Sequence, residues 1–270
     1  MLDAIELDHV ALALPDRAPF WSTFAGDLGG RWLGGGESGG GFAFAQLRFA
    51  NGMKVEGLEP HLPERNDFLA RFLANSGAGP HHLTFKVPDL EIAVDRARAA
   101  GYRPVGVDLD GRHWKEAFLH PRAACGIVVQ LAWSDGEVDS PAPDWLPPPR
   151  VPTAELVHVV HAVADLESAL RLGKGLLDGH SIDAGAGGGL GWVDLAWPGP
   201  GRLRLVSGDP LTSWLGTRPG RLHHLAFRVA DPGGVAGAVE RDGWWEVAPE
   251  PPLGTRLVLV APDAPLPLGL

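Results

Sequence analysis

One short pattern recurs four times along the chain and limits what it can become. A histidine opens an alternating apolar run, the run ends at an aspartate, and a stretch of helical character follows. The copies are His9-Val-Ala-Leu-Ala-Leu-Pro-Asp16, His82-Leu-Thr-Phe-Lys-Val-Pro-Asp89, His158-Val-Val-His-Ala-Val-Ala-Asp165 and His224-Leu-Ala-Phe-Arg-Val-Ala-Asp231. Alternation predicts a strand, and an aspartate after it is a helix N-cap. The helices of the second and fourth copies are expected to end at Gly101 and Gly243, since glycine is the usual helix stop. Strand-like segments then follow, such as Phe42 to Phe49, Met53 to Leu58, Phe118 to His120 and Gly126 to Ala132. The repeated unit reads strand, helix, three strands. Copy four is short, and its last strand is expected from Leu266 to Leu270 if Leu259 to Pro262 matches Leu119 to Pro121.

The proline-rich stretch from Ser134 to Thr153 separates the first two copies from the last two and reads as a stiff, exposed linker. The expected division is therefore one domain over 1–134, a linker over 135–153 and a second domain over 154–270. The segment from Glu64 to Asn75 is predicted helical and would join copy one to copy two. A net charge of −10 argues against gripping nucleic acid, which draws its affinity from clustered Lys and Arg. One cysteine, Cys125, excludes an internal disulfide framework. No secretory signal or apolar membrane span is visible, so a soluble cytoplasmic protein without a membrane partner is expected.

In a strand, residues i and i+2 share a face. Val10, Leu12 and Leu14 form the bulky face of the first strand, which must pack on helix, leaving His9, Ala11 and Ala13 facing a cleft. By the same split His82, Thr84 and Lys86 face the cleft, and His81 points away from it. Lys54, Glu56 and Leu58 share one face of their strand, and Val128, Gln130 and Ala132 one face of theirs. If the two units of a domain pair about an approximate two-fold axis, His9 matches His82 and Glu56 matches Gln130. Two imidazoles, a carboxylate and an amide oxygen suit a divalent Zn, Ni, Co, Mn or Fe ion with positions left for water or substrate. A lone strand histidine is more often a satisfied, partly buried residue. Four donors in pseudo-symmetric places favour a metal.

These residues carry a resemblance. Asp8 to Asp16, Val55-Glu-Gly-Leu-Glu-Pro60, His81 to Asp89, and Phe118-Leu-His-Pro121 followed by Gly126-Ile-Val-Val-Gln-Leu131 resemble the vicinal-oxygen-chelate (VOC) superfamily of glyoxalase I, methylmalonyl-CoA epimerase, extradiol dioxygenases and bleomycin-resistance proteins. The resemblance covers most of residues 5 to 133, is closest to the epimerase and glyoxalase branch, and is weaker over 155 to 265. It implies an α+β fold of two tandem domains, each a pair of βαβββ units forming a curved mixed sheet around a cleft. It implies His9, Glu56, His82 and Gln130 as ligands of one divalent metal. Epimerases typically carry Gln on the second ligand strand and a basic Glu on the last, and here the two are exchanged. Their further acid before the third strand has no match in Gly39-Gly-Gly41, although Glu37 is near.

The implied activity is that of a lyase or isomerase working through a metal-stabilised enediolate on a small oxo or acyl-thioester substrate, with Glu56 as base. Gln46, Arg48 and Lys54 are candidates for an anionic substrate group, and Glu116 and His120 for relay or substrate binding. A second reading is a metal-free protein that sequesters a drug or metabolite, with Phe42, Phe44, Trp21 and Trp32 lining its pocket. A third is an extradiol dioxygenase using His9, His82 and Glu56. The second domain keeps His158 and His224 but has Val206 where the first has Glu56, and only Pro, Leu or Gly around the place of Gln130, so no metal is expected there. His161, and the tryptophans Trp192, Trp197, Trp214, Trp244 and Trp245, are expected in its core. The chain itself is expected as a monomer or a homodimer.

Overall fold

The computed structural model describes every residue except Met1, Leu2, Val138, Pro147, Pro251 and Pro252. Two of these fall in the expected linker and two in the N-terminal segment, and those parts of the sequence reading lie outside the described residues.

The first half runs β1 (Glu6–Ala13), α1 (Ala18–Phe20, continued by wider π-helical turns over Trp21–Asp27), β2 (Arg31–Glu37), β3 (Phe42–Arg48), β4 (Lys54–Pro60), α2 (Phe68–Ser76), β5 (Gly79–Lys86), α3 (Leu90–Ala99), β6 (Val105–Asp108), β7 (Trp114–Leu119) and β8 (Val128–Ser134). The second runs β9 (Glu155–Val163), α4 (Leu166–Leu170, continued as π-helix over Arg171–Leu176), β10 (His180–Gly187), β11 (Leu190–Ala196), β12 (Arg202–Gly208), α5 (Asp209–Leu215), β13 (Gly220–Arg228), a 3₁₀ turn (Pro232–Gly234), β14 (Ala238–Glu240), β15 (Trp245–Val247) and β16 (Leu257–Val260). Asp89, Asp165 and Asp231 are N-caps as their chemistry requires, whereas the N-cap of α1 is Arg17. Asp89 accepts from the backbone of Ile92, Asp165 from Glu167 and Ser168, and Asp16 from Ala18.

The strands form two mixed eight-stranded sheets, β2-β3-β4-β1-β5-β8-β7-β6 and β10-β11-β12-β9-β13-β16-β15-β14. Each order is two βαβββ units set head to head, so β1 and β5 meet at the centre of the first sheet. This is the tandem VOC architecture.

Copy four departs from the expected unit. Pro232-Gly-Gly234 supports only a 3₁₀ turn, and the chain is already strand at Ala238, so no helix runs to Gly243. Two consecutive glycines cost a helix about 2 kcal/mol relative to alanines, which explains its loss. Nor does the tail supply the last strand. β16 occupies that place, parallel to β13 and antiparallel to β15, while 266–270 has no regular structure. Pro265 and Pro267 offer no N–H to a sheet ladder.

By proximity the residues fall into two compact units, 1–9 with 82–137 and 158–223, and 10–81 with 138–157 and 224–270. In the first unit, Leu83, Phe85, Ile127 and Val129 meet Leu172, Leu177, Leu203 and Leu205 around one small cavity. The ring of Phe85 lies 5.1 Å from that of Trp197, whose indole N–H donates to the Leu177 carbonyl. Each such fully buried side chain contributes about 1.5–3 kcal/mol. Trp192 and Trp214 pack beside Val160, Val206 and Leu211 in the same unit.

In the second unit, Phe24, Phe49 and Phe227 form an aromatic cluster. Ala11, Ala13, Leu58 and Leu69 pack with Phe42, Phe44, Phe68 and Phe72, so α2 covers the small residues of β1. From Asp139 on, the described part of the expected linker is pinned to this unit. Ser140 bonds to the Leu33 carbonyl and receives the Trp32 indole, Trp145 packs on Trp21 and Trp32, and Arg150 pairs with Asp27. Trp244 and Trp245 are only half-buried, with the Arg256 guanidinium over Trp244.

Candidate metal centre

His9 and His82 lie on the two central strands of the first sheet, with ring centroids 5.8 Å apart. Glu56 lies on β4 and completes the group. One donor atom from each of His9, Glu56 and His82 falls within 4.8 Å of the others, and all three residues are buried. This is the single convergent set of three such donors among the described residues. Strand register explains the placement. Gln46 is the cross-strand partner of Glu56, and Thr84 is the partner of Gln130.

Neighbouring groups orient the donors. His9 Nδ1 lies 2.7 Å from the Asp8 carboxylate, which holds the ring proton there and leaves Nε2 as the metal-facing atom. Gln46 donates to one oxygen of Glu56 at 3.0 Å. Gln130 donates its amide N–H to Glu116 at 2.7 Å, and its amide oxygen accepts the Thr84 hydroxyl at 2.5 Å. The Thr84 hydroxyl is also 2.8 Å from His9 Nε2. With the His9 proton on Nδ1, one hydroxyl proton faces two acceptors, His9 Nε2 and Gln130 Oε1. One of the two acceptors therefore keeps a lone pair that the Thr84 proton does not take. The donor set of His9, Glu56 and His82 fits a divalent metal, and the Gln130 amide oxygen stands beside it, linked to His9 through the Thr84 hydroxyl.

The candidate substrate residues divide. Gln46, Arg48 and Lys54 share the Glu56 face through the pairs Gln46–Glu56 and Arg48–Lys54. Glu116 is tied directly to Gln130 and also accepts the Trp114 indole at 2.7 Å. His120 is exposed after β7, and its Nδ1 takes the Arg122 backbone N–H.

Three participants were not singled out from the sequence. Asp8 directly precedes His9, and the Thr84 hydroxyl lies between His9 and Gln130. His81, expected to point away, packs at 4.8 Å from the Phe72 ring of α2. Burial lowers its pKa to about 4, against the opposing pull of the Glu56 carboxylate. It is therefore a neutral imidazole close to Glu56.

The corresponding place in the second sheet is built differently. Val206 pairs with Trp192, and Val258 stands beside Ala226, where the first sheet has Glu56 with Gln46 and Gln130 beside Thr84. The residue at the Gln130 position is therefore Val258, in place of the Pro, Leu or Gly expected. Arg204 clamps Asp194 with two 2.7 Å bonds, and His158 Nε2 lies 3.2 Å from the same carboxylate. Burial raises the Asp194 pKa, but the Arg204 and His158 bonds outweigh it and bring it to about 2. Gly269 of the tail is seated so close to His224 and Val258 that a Cβ there would come within 3.1 Å of the imidazole.

The sequence profile of the Glyoxalase/Bleomycin resistance protein/Dioxygenase superfamily matches residues 8–118. An ethylmalonyl-CoA/methylmalonyl-CoA epimerase from Cereibacter sphaeroides is 32% identical over 132 residues, 46% of this chain and 95% of that protein. A mutant of 4-hydroxymandelate synthase from Streptomyces coelicolor superposes with a TM-score of 0.65 at 16% identity, covering 97% of this chain and 95% of its own. A hypothetical protein from Staphylococcus aureus gives 0.62 at 11% identity, covering 95% and 99%. The last two share the fold.

Proposed function

The chain belongs to the Glyoxalase/Bleomycin resistance protein/Dioxygenase superfamily, and from that premise we propose that it is a metal-dependent enzyme of the epimerase or glyoxalase type. The reaction is proton transfer at the carbon next to a carbonyl in a small oxo or acyl-thioester substrate. The observation that supports this reading is the convergence of His9, Glu56 and His82 donors within 4.8 Å, with the Gln130 amide oxygen linked to His9 through the Thr84 hydroxyl.

Bound there, a divalent ion supplies Lewis acidity to the substrate oxygens. Glu56 is the base, because it is the sole carboxylate among the four donors and an amide at Gln130 accepts no proton from carbon. Gln46 fixes the Glu56 carboxylate for that transfer. Arg48 and Lys54, two residues along from Gln46 and Glu56 on the same face, bind an anionic group of the substrate. A carboxylated acyl-thioester of the kind named for the Cereibacter relative has such a group.

The same two histidines and one carboxylate would also serve an Fe(II) dioxygenase. Oxygen uptake with a catechol separates that reading from proton transfer. Sequestration finds less support. Phe42 and Phe44 are packed with α2, and Trp21 and Trp32 with Trp145.

The test is elemental analysis of protein purified without added metal, for wild type and Glu56→Ala, with deuterium exchange at the α-carbon of an acyl-thioester. One equivalent of metal and chelator-sensitive exchange are expected in the wild type, and both are lost in the variant. Metal-free wild type that shows no exchange after metal addition refutes the proposal.

A further inference from the structure

Resting on that metal reading, we infer that Glu116 is a positioning residue that selects which end of the Gln130 amide faces the ion. Gln130 is useful as a ligand in only one of its two amide orientations. Its oxygen has lone pairs to give, whereas its NH₂ has none. The two ends have almost the same shape, so packing alone does not choose between them. The hydrogen-bond partners do.

Glu116, when ionised, is purely an acceptor, so the Gln130 atom 2.7 Å from its Oε2 must be the NH₂ nitrogen. The opposite end, 2.5 Å from the Thr84 hydroxyl, is then the oxygen. Thr84 could not make this choice, because a hydroxyl both donates and accepts. The Trp114 indole N–H donates to the same Glu116 oxygen at 2.7 Å, which prevents the carboxylate from swinging away. Register makes the arrangement specific. Phe118 faces Gln130 across the β7–β8 ladder and Glu116 faces Ala132, so the carboxylate reaches Gln130 diagonally over a small residue. A larger residue at 132 would block that reach.

Both bonds to Glu116 end on one oxygen, so a glutamine at 116 can replace it by turning its amide oxygen to the same place. This separates positioning from charge. The experiment is calorimetric titration of the full chain with Co(II), together with the Co(II) visible absorption spectrum. Wild type is expected to bind one ion. Glu116→Leu should weaken binding about 10- to 100-fold, the usual effect of removing a group that orients a ligand, and should shift the spectrum toward that of Gln130→Ala. Glu116→Gln should restore affinity and spectrum. Glu116→Leu introduced into Gln130→Ala should cost nothing further. Glu116→Asp, which pulls the carboxylate back by one methylene, should fall between wild type and Leu and serves if the Leu variant does not fold. Wild-type affinity and spectrum in Glu116→Leu or Glu116→Asp overturn the inference and leave the metal site standing. So does an equal loss with and without the Gln130 amide. Wild type that binds no Co(II) overturns the metal reading and this inference together.

Discussion

Acidification through the histidine range should destabilise the fold, and His161 allows the size of the effect to be worked out. Its ring is fully buried, and Nε2–H donates to the Cys125 carbonyl at 2.7 Å. Burial brings its pKa from 6.5 to about 4, although the carbonyl bond favours the protonated ring. The folded-state value lies below the unfolded one, so between these pH values the unfolded chain binds a proton that the folded chain refuses. Stability is intact above pH 6.5, falls as pH drops toward 4, and levels out below. The full shift of 2.5 units corresponds to about 3 kcal/mol, of which about 2 kcal/mol is already lost at pH 5. That is a large part of the roughly 5–15 kcal/mol typical of a folded domain. Urea unfolding of wild type and His161→Leu at pH 7.5, 6, 5 and 4.5 measures it. The variant should be less stable at pH 7.5, because the Cys125 carbonyl loses its donor, and its stability should fall by about 2 kcal/mol less than wild type by pH 5. Other histidines titrate in both proteins and cancel in the difference. Parallel curves for the two proteins would refute the reasoning.

Arg204→Ala strands the buried Asp194 charge and should cost about 3–5 kcal/mol, whereas the apolar pair Asp194→Leu with Arg204→Met should recover most of it in the same urea assay. Gly269 has φ of 65° and its Cβ would lie 2.8 Å from Val258, so Gly269→Ala should lift the tail. Limited proteolysis followed by mass spectrometry should then show earlier cleavage within 264–270, and an unchanged cleavage pattern would count against a seated tail.

The repeat and the alternation of apolar residues were enough to point to His9, Glu56 and His82, whose donors the structure gathers, and to put Gln130 on a face with Val128 and Ala132, because a two-residue period on a strand ties sequence position to a face. That logic has a limited range. It fails where the period is interrupted, as at Pro232-Gly-Gly234, and it does not show which strand fills a place in a sheet when several short apolar runs compete. It also speaks only of faces. The bonds from Asp8 to His9 and from Glu116 to Gln130 depend on rotamers and cross-strand register, which no single strand records. His81 shows the same limit, since its neighbours come from α2, a helix outside the repeat.

The exchange of Glu and Gln between the two pseudo-symmetric strands was visible in the sequence, but its consequence lies in what surrounds each. On β4 the carboxylate is held by a donor, Gln46, and stands near a neutral imidazole, His81. On β8 the amide is held by an acceptor, Glu116. Each ligand strand is thus matched to a partner of opposite hydrogen-bonding character. Exchanging Glu56 and Gln130 alone would set two carboxylates face to face at 116 and 130 and two amides at 46 and 56. The asymmetry of the site therefore belongs to four residues together, and in the proposed reaction it puts the base on the β4 side.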